Sequence, residues 1–185
     1  METEKKQQVE DIQAMLTDPD RREEGFRVLM RKYGRPLYWH IRRIVVSHDD
    51  AEDVLQDTCV KILNNIDKFR GECQLKVWIY RIATNESLQM LRRHTHFFQS
   101  LDSVNEQLLD TLETETSMDS DAIEVLFQKA LLTLPTQQRI AFNMRYYEDM
   151  SYEDIAQVTG KSVGCLKSNY HYASTKVKQF LKENS

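Results

Sequence analysis

A chain of 185 residues is long enough for one domain with a full core, or for two small domains with a connector. Its net charge of −4 excludes a general attraction for nucleic acid, so any DNA contact must come from local patches or from a partner's help. The three cysteines, Cys59, Cys73 and Cys165, are scattered and contain no C-x-x-C pair, which argues against a disulfide framework or a zinc site.

The N-terminus, "METEKKQQVEDIQ", is charged and has no apolar core, and no run approaches membrane-spanning length. The expectation is a cytoplasmic protein without membrane insertion. With only 5 Gly and 3 Pro, and helical periodicity almost throughout, the fold class expected is all-α. Phe26, Leu29, Met30 and Tyr33 form a first apolar stripe, which "GRP" at Gly34–Pro36 is expected to interrupt. Leu37, Ile41, Ile44 and Val45 form a second. Asp49 reads as the N-cap of the next helix, with Glu52 completing a capping box.

In that helix Ala51, Val54, Leu55, Thr58, Cys59 and Ile62 share a core face. The opposite face carries Asp53, Gln56, Asp57 and Asn64, with Val60 set among them. A loop, "DKFRGE", leads to a long helix from about Gln74 to His94. From Lys68 to His96 there are six Lys or Arg against two acids, interleaved with aromatics. Cations for phosphate and ring faces for stacking are what an unpaired strand needs. Trp78 reads as core; Arg81, Asn85, Arg92 and Arg93 are the better contact candidates.

Composition then shifts. Between Phe97 and Gln128 there is no Lys or Arg, but there are eight carboxylates and many Ser and Thr. That reads as a flexible acidic connector, helical again from about Asp121. Residues 20–96 and 124–183 are thus two small helical domains, joined by a linker over 97–123.

In the second domain Ser151 caps a short helix with Asp154 at N3, and Gly160 ends it where a left-handed residue is wanted. Ser162 caps the following helix, whose apolar line is Val163, Leu166, Tyr170, Ala173, Val177 and Phe180. Short helix, glycine turn and longer amphipathic helix form a helix-turn-helix. Its outer side carries Gly164, Ser168, His171, Tyr172 and Thr175, with Lys167 at the edge. Such residues suit phosphate and base-edge contact; an ordinary helical hairpin with a solvated face is the alternative.

Three segments, "DAEDVLQDTCVKIL", "FRGECQLKVWIYRIATN" and "ALLTLPTQQRIAFNMRYYEDMSYEDIAQVTGKSVGCLKS", together resemble an extracytoplasmic-function sigma factor of bacterial RNA polymerase. The likeness runs from about Phe26 to Leu181, apart from the connector. It implies that Asp53, Gln56, Asp57 and Val60 dock on core polymerase, Val60 as the apolar centre of a polar rim. It further implies that Arg70, Glu72, Cys73, Gln74 and Asn85 form or border a pocket for a flipped base of the −10 promoter element. Arg81, Arg92 and Arg93 would contribute to the same DNA contact.

By the same likeness Ser162, Gly164, Lys167, Ser168, His171 and Tyr172 would meet the −35 element as duplex. The implied partners are core RNA polymerase, promoter DNA in double- and single-stranded form, and an anti-sigma factor. By analogy, the acidic connector would enter the polymerase's RNA channel; a purely solvating tether is the equal alternative. No catalytic residue, cofactor or metal is implied. Cys165 and Asn169 stand where relatives often carry Thr and Arg, which leaves the preferred promoter sequence open.

Two other readings compete. A helix-turn-helix regulator acting without polymerase would leave the first domain unexplained. "DDAED", Asp49–Asp53, matches the D-D-x-x-D string of helical Mg-dependent diphosphate enzymes. It stands alone, however, in a chain too small for the usual apolar cavity.

Overall fold

The structure, a computed structural model, describes residues 12–97, 108, 109, 111, 112 and 122–184. Seven helices follow one another: α1 (Arg22–Val45), α2 (His48–Asn65), α3 (Leu75–Phe97), α4 (Ala122–Leu132), α5 (Thr136–Tyr146), α6 (Tyr152–Thr159) and α7 (Val163–Asn184). A helical segment at 12–17 precedes α1, and a 3-10 turn, Ile66–Lys68, follows α2. Among the described residues there is no strand.

Helices α1, α2 and α3 pack as a three-helix unit. The stripe Leu29, Leu37, Ile41 and Ile44 meets Val54 and Ile62 of α2 and Leu75, Ile79 and Ala83 of α3, all buried. The expected interruption at Gly34–Pro36 does not occur, and α1 runs unbroken through Pro36. A mid-helix proline costs roughly 3 kcal/mol, because it removes one hydrogen bond and crowds the preceding turn. Pro36 lies on the exposed side of α1, where water can solvate the freed carbonyl. Burial of Leu29, Tyr33, Leu37 and Ile41 on both sides of it outweighs the loss.

The cap of α2 also differs from expectation. Ser47, not Asp49, is the N-cap: its Oγ accepts from Asp50 N at 3.3 Å, and Asp49 and Asp50 lie within the first turn. Two carboxylates there favour the positive end of the helix. Val46, between α1 and α2, has φ 67° and is buried. For a β-branched residue that is a strained conformation, held by Val46 N→Arg42 O at 2.8 Å and Ser47 N→Val45 O at 2.9 Å.

Helices α4 to α7 form the second unit, around Ala130, Leu131, Leu134, Phe142, Ala173 and Val177. Phe142 stacks on Tyr146 at 5.5 Å and on Tyr170 at 5.1 Å. Ser151 accepts from Asp154 N at 3.0 Å, and Gly160 closes α6 with φ 70° and ψ 15°, both as expected.

The two units do not merely share a tether. Ile140, Met144, Met150, Ile155, Val158 and Leu166 join the core of the first unit. Of the connector, residues 108, 109, 111 and 112 are helical, with Leu108 buried and Leu109 and Leu112 packed on that core. The reading of a wholly flexible linker therefore fails at this point, where the leucine spacing outweighs the surrounding carboxylates. Residues 97, 122 and 123 belong to α3 and α4; the remainder of the linker lies outside the described residues, and with it most of the segment expected to enter the RNA channel.

Candidate nucleic-acid and polymerase interface

Three exposed faces carry the residues singled out in the sequence. On α2, Asp53, Gln56 and Asp57 are exposed, and Val60 is 50% exposed among them. The core-facing residues Ala51, Val54, Thr58 and Ile62 point the other way. Lys61, beside Val60, reaches Glu86 of α3 at 2.6 Å, and that carboxylate is almost fully buried. The outward helix is thus tied to α3 one residue from Asn85.

The second face begins in the loop before α3. Gly71 has φ 73°, the left-handed conformation that lets the chain turn there. Arg70, Glu72 and Gln74 are exposed and Cys73 is half-buried. Trp78 is half-buried too, 5.1 Å from the Phe69 ring, so it packs as expected while showing an edge to this face. Arg81, half-buried, and Asn85, exposed, follow one turn apart. Arg92 and Arg93 are exposed, but they lie about 27 Å along the helix from Gln74 at 1.5 Å per residue. They can share a strand with the loop but not a single base.

The third face is on α7. Ser162 Oγ accepts from Cys165 N at 3.3 Å, which sets the start of the helix. A Cβ at Gly164 would meet nothing within 4 Å, so the backbone is open to close approach. Lys167, Ser168, His171 and Tyr172 are exposed, Tyr172 at 66%. Lys167 Nζ lies 5.8 Å from the Tyr152 ring of α6, as Arg145 does at 5.4 Å. Asn169 is half-buried, with its amide 3.5 Å from Cys165 Sγ.

A fourth constellation was not anticipated: the junction between the units. Glu148, after α5, accepts from Tyr80 Oη at 2.6 Å and pairs with Arg43 at 3.4 Å, while Lys76 Nζ donates to its carbonyl at 3.0 Å. Arg43 also lies 3.6 Å from the centre of the Tyr147 ring. Burial, with Glu148 adding, raises the Tyr80 phenol well above its ordinary range, so it remains a donor. Arg139 is 1% exposed and donates to the Ile44 carbonyl at 3.3 Å, leaving Nε and Nη1 without a partner. No single stretch of sequence marks this junction, because its members come from α1, α3, α5 and the turn that follows α5.

Among the described residues no cluster of His, Cys, Asp or Glu is placed to hold a metal ion, and Asp49 and Asp50 of "DDAED" lie in the capped first turn of α2. Three exposed faces on two small helical units, one of them a helix-turn-helix, define a DNA-binding adaptor. The Sigma-70 region 2 family matches residues 29–97, and the Sigma-70, region 4 family matches residues 124–177.

Similar proteins include the RNA polymerase sigma-H factor of Pseudomonas aeruginosa, 31% identical over 157 residues, covering 78% of this chain and 79% of that one. The RNA polymerase sigma factor YlaC of Bacillus subtilis is 28% identical over 153 residues, covering 82% and 88%. The ECF RNA polymerase sigma-E factor of Haemophilus influenzae is 29% identical over 154 residues, covering 78% and 81%. The fold is similar to that of the sigma factor RpoE of Bartonella quintana, solved with the anti-sigma factor NepR (TM-score 0.68, 24% identity, 85% and 96% covered). It is also similar to CnrH, solved with the cytosolic domain of CnrY (TM-score 0.71, 21% identity, 96% and 99% covered). The chain belongs to the sigma-70 family of RNA polymerase sigma factors, in its extracytoplasmic-function group.

Proposed function

We propose that the three faces divide the work of a sigma factor among named residues. Asp53, Gln56, Asp57 and Val60 dock on core RNA polymerase, the valine desolvating inside a polar rim. The loop residues Arg70, Glu72, Cys73 and Gln74, with Arg81 and Asn85, receive the −10 element and hold a flipped base. Arg92 and Arg93 hold phosphates further along the same strand. Extrusion costs a few kcal/mol per base, which stacking and phosphate contact offset. Ser162, Gly164, Lys167, Ser168, His171 and Tyr172 meet the −35 duplex.

Residues 20–96 and 124–183 act as the two reading domains, and 97–123 connects them. The protein works in the cytoplasm and supplies no catalytic group of its own; polymerase does the chemistry. An anti-sigma factor is its proposed regulator, as the structurally similar sigma factor RpoE was solved with one, NepR.

One observation carries this reading: the junction buries Arg139 and Glu148, yet leaves the residues of all three faces exposed or half-exposed. Run-off transcription with core polymerase and a randomised promoter library tests it. Selected templates should share two short motifs at a fixed separation. Transcription without sequence selection, or none at all, would refute it.

A further inference from the structure

Between Arg27 and Arg43, α1 carries six Lys or Arg and no Asp or Glu, in a chain whose net charge is −4. At 100° per residue Arg31, Lys32, Arg35, Trp39 and Arg42 fall on the side opposite the buried stripe Leu29, Tyr33, Leu37, Ile41 and Ile44. Arg31 and Arg35 are exposed, one turn apart, and neither takes part in an ion pair among the described residues. Trp39 is 45% exposed. It is held in place: Tyr38 packs edge-on against it at 5.4 Å, and the Tyr38 hydroxyl is 2.7 Å from His48 Nδ1.

None of the three faces described above includes these residues. Every polar side chain on the stripe is donor-only, since guanidinium, ammonium and indole N–H accept nothing. A protein surface offers donors and acceptors together, whereas the phosphodiester backbone of a DNA strand offers acceptors only. In a duplex the base faces are hidden in the stack, so an exposed indole gains nothing from one; an unpaired strand presents both phosphate and ring. Between Arg27 and Arg43 the helix itself carries no Asn, Gln, Asp or Glu to read base edges.

We propose that this face of α1 is a sequence-independent binding surface for an unpaired nucleic-acid strand, with Arg31, Lys32 and Arg35 on phosphates and Trp39 stacked on a base. It goes beyond the promoter-reading roles, adding a place where opened strand is held without regard to sequence.

The probe is a fluorescein-labelled oligothymidylate of about twenty nucleotides, titrated with the full chain over a salt series. Trp39→Ala should weaken binding by roughly 5- to 150-fold, and Trp39→Phe should retain much of it, because a ring face remains. Arg31→Ala with Arg35→Ala should lower the salt slope by about 1.4, two phosphates at 0.7 each. Binding of a duplex of equal length should be indifferent to Trp39→Ala. Affinity and slope unchanged in both variants would overturn the proposal. So would polyglutamate of matched charge displacing the oligonucleotide equally well with Trp39→Ala silent, which would assign the face to an acidic protein. Run-off transcription with the same variants reports promoter selection separately, so failure of the strand surface is distinguishable from failure of the sigma reading.

Discussion

His40 is buried between α1 and α3, its Nε2 2.9 Å from Thr84 Oγ1, while that hydroxyl donates to the Tyr80 carbonyl at 2.7 Å. With the Thr84 proton used, Nε2 must be the donor, which leaves Nδ1 bare and without a partner. Burial pushes the imidazole down to about 3, and the neighbouring cations Arg43 and Lys76 add to the effect. Unfolded, the ring takes a proton near pH 6.5. Its neutral burial therefore costs nothing above about pH 6.5, and stability falls as pH drops from there toward 3. The slope is at most about 1.4 kcal/mol per unit. Denaturant titrations between pH 7 and 4 should show this slope, and His40→Leu should flatten it. Gly25 presents a different constraint. A Cβ there would sit 2.7 Å from Met15 Cβ and 2.9 Å from Leu16 N. Gly25→Ala should cost about 1–3 kcal/mol by pushing the 12–17 helix away, seen as a lower denaturation midpoint.

At the scale of an element, α2 and α7 each turn one face inward and offer the other to a partner. Val60→Glu places a charge at the centre of the docking face without touching the buried Val54, Thr58 and Ile62. It should weaken the pull-down of core polymerase by roughly 5- to 150-fold with the melting curve unchanged, given a hydrophobic anchor worth about 1–3 kcal/mol. On α7, Lys167→Ala should weaken use of the upstream element about evenly across sequences if the ammonium holds phosphate. If it reads guanine, discrimination at one position should be lost. Footprints on a small set of promoter variants separate the two. Cap geometry explains why the helix-turn-helix was readable, since Ser151, Gly160 and Ser162 are local signals, whereas at α2 the cap is Ser47 and not Asp49. Proline at 36 misled because its cost is local, whereas the burial that overrides it is not.

On the whole molecule, the junction at Glu148 holds the two helical units on one body. A compact chain of this length has a radius of gyration of about 16 Å. Elements near −10 and −35 lie about 85 Å apart at 3.4 Å per base pair. On the roles proposed for the two units the closed form cannot meet both elements, and those roles therefore require the junction to open on promoter binding. Its chemistry suits that: hydrogen bonds and an ion pair can be exchanged for water, and the two unpartnered nitrogens of Arg139 are a standing cost of closure. Glu148→Ala leaves Arg43 and Tyr80 without their carboxylate, at about 1–3 kcal/mol. Fluorophores on the two units should move apart in this variant without polymerase present; unchanged transfer efficiency would show that the junction rests on its apolar contacts instead.

The sequence alone determined most of the helices, the helix-turn-helix and the outward position of the three faces, because each rests on periodicity and caps within a few residues of one another. Leu166, Ala173 and Val177 announce a buried line, and Lys167 and Ser168 its opposite, whatever surrounds them. Only the tertiary structure decided that Leu108 packs on the core, that Arg139 is buried against the end of α1, and that Glu148 meets Arg43 and Tyr80. Those contacts join residues tens of positions apart, so their energy depends on how whole helices dock, which no local spacing encodes.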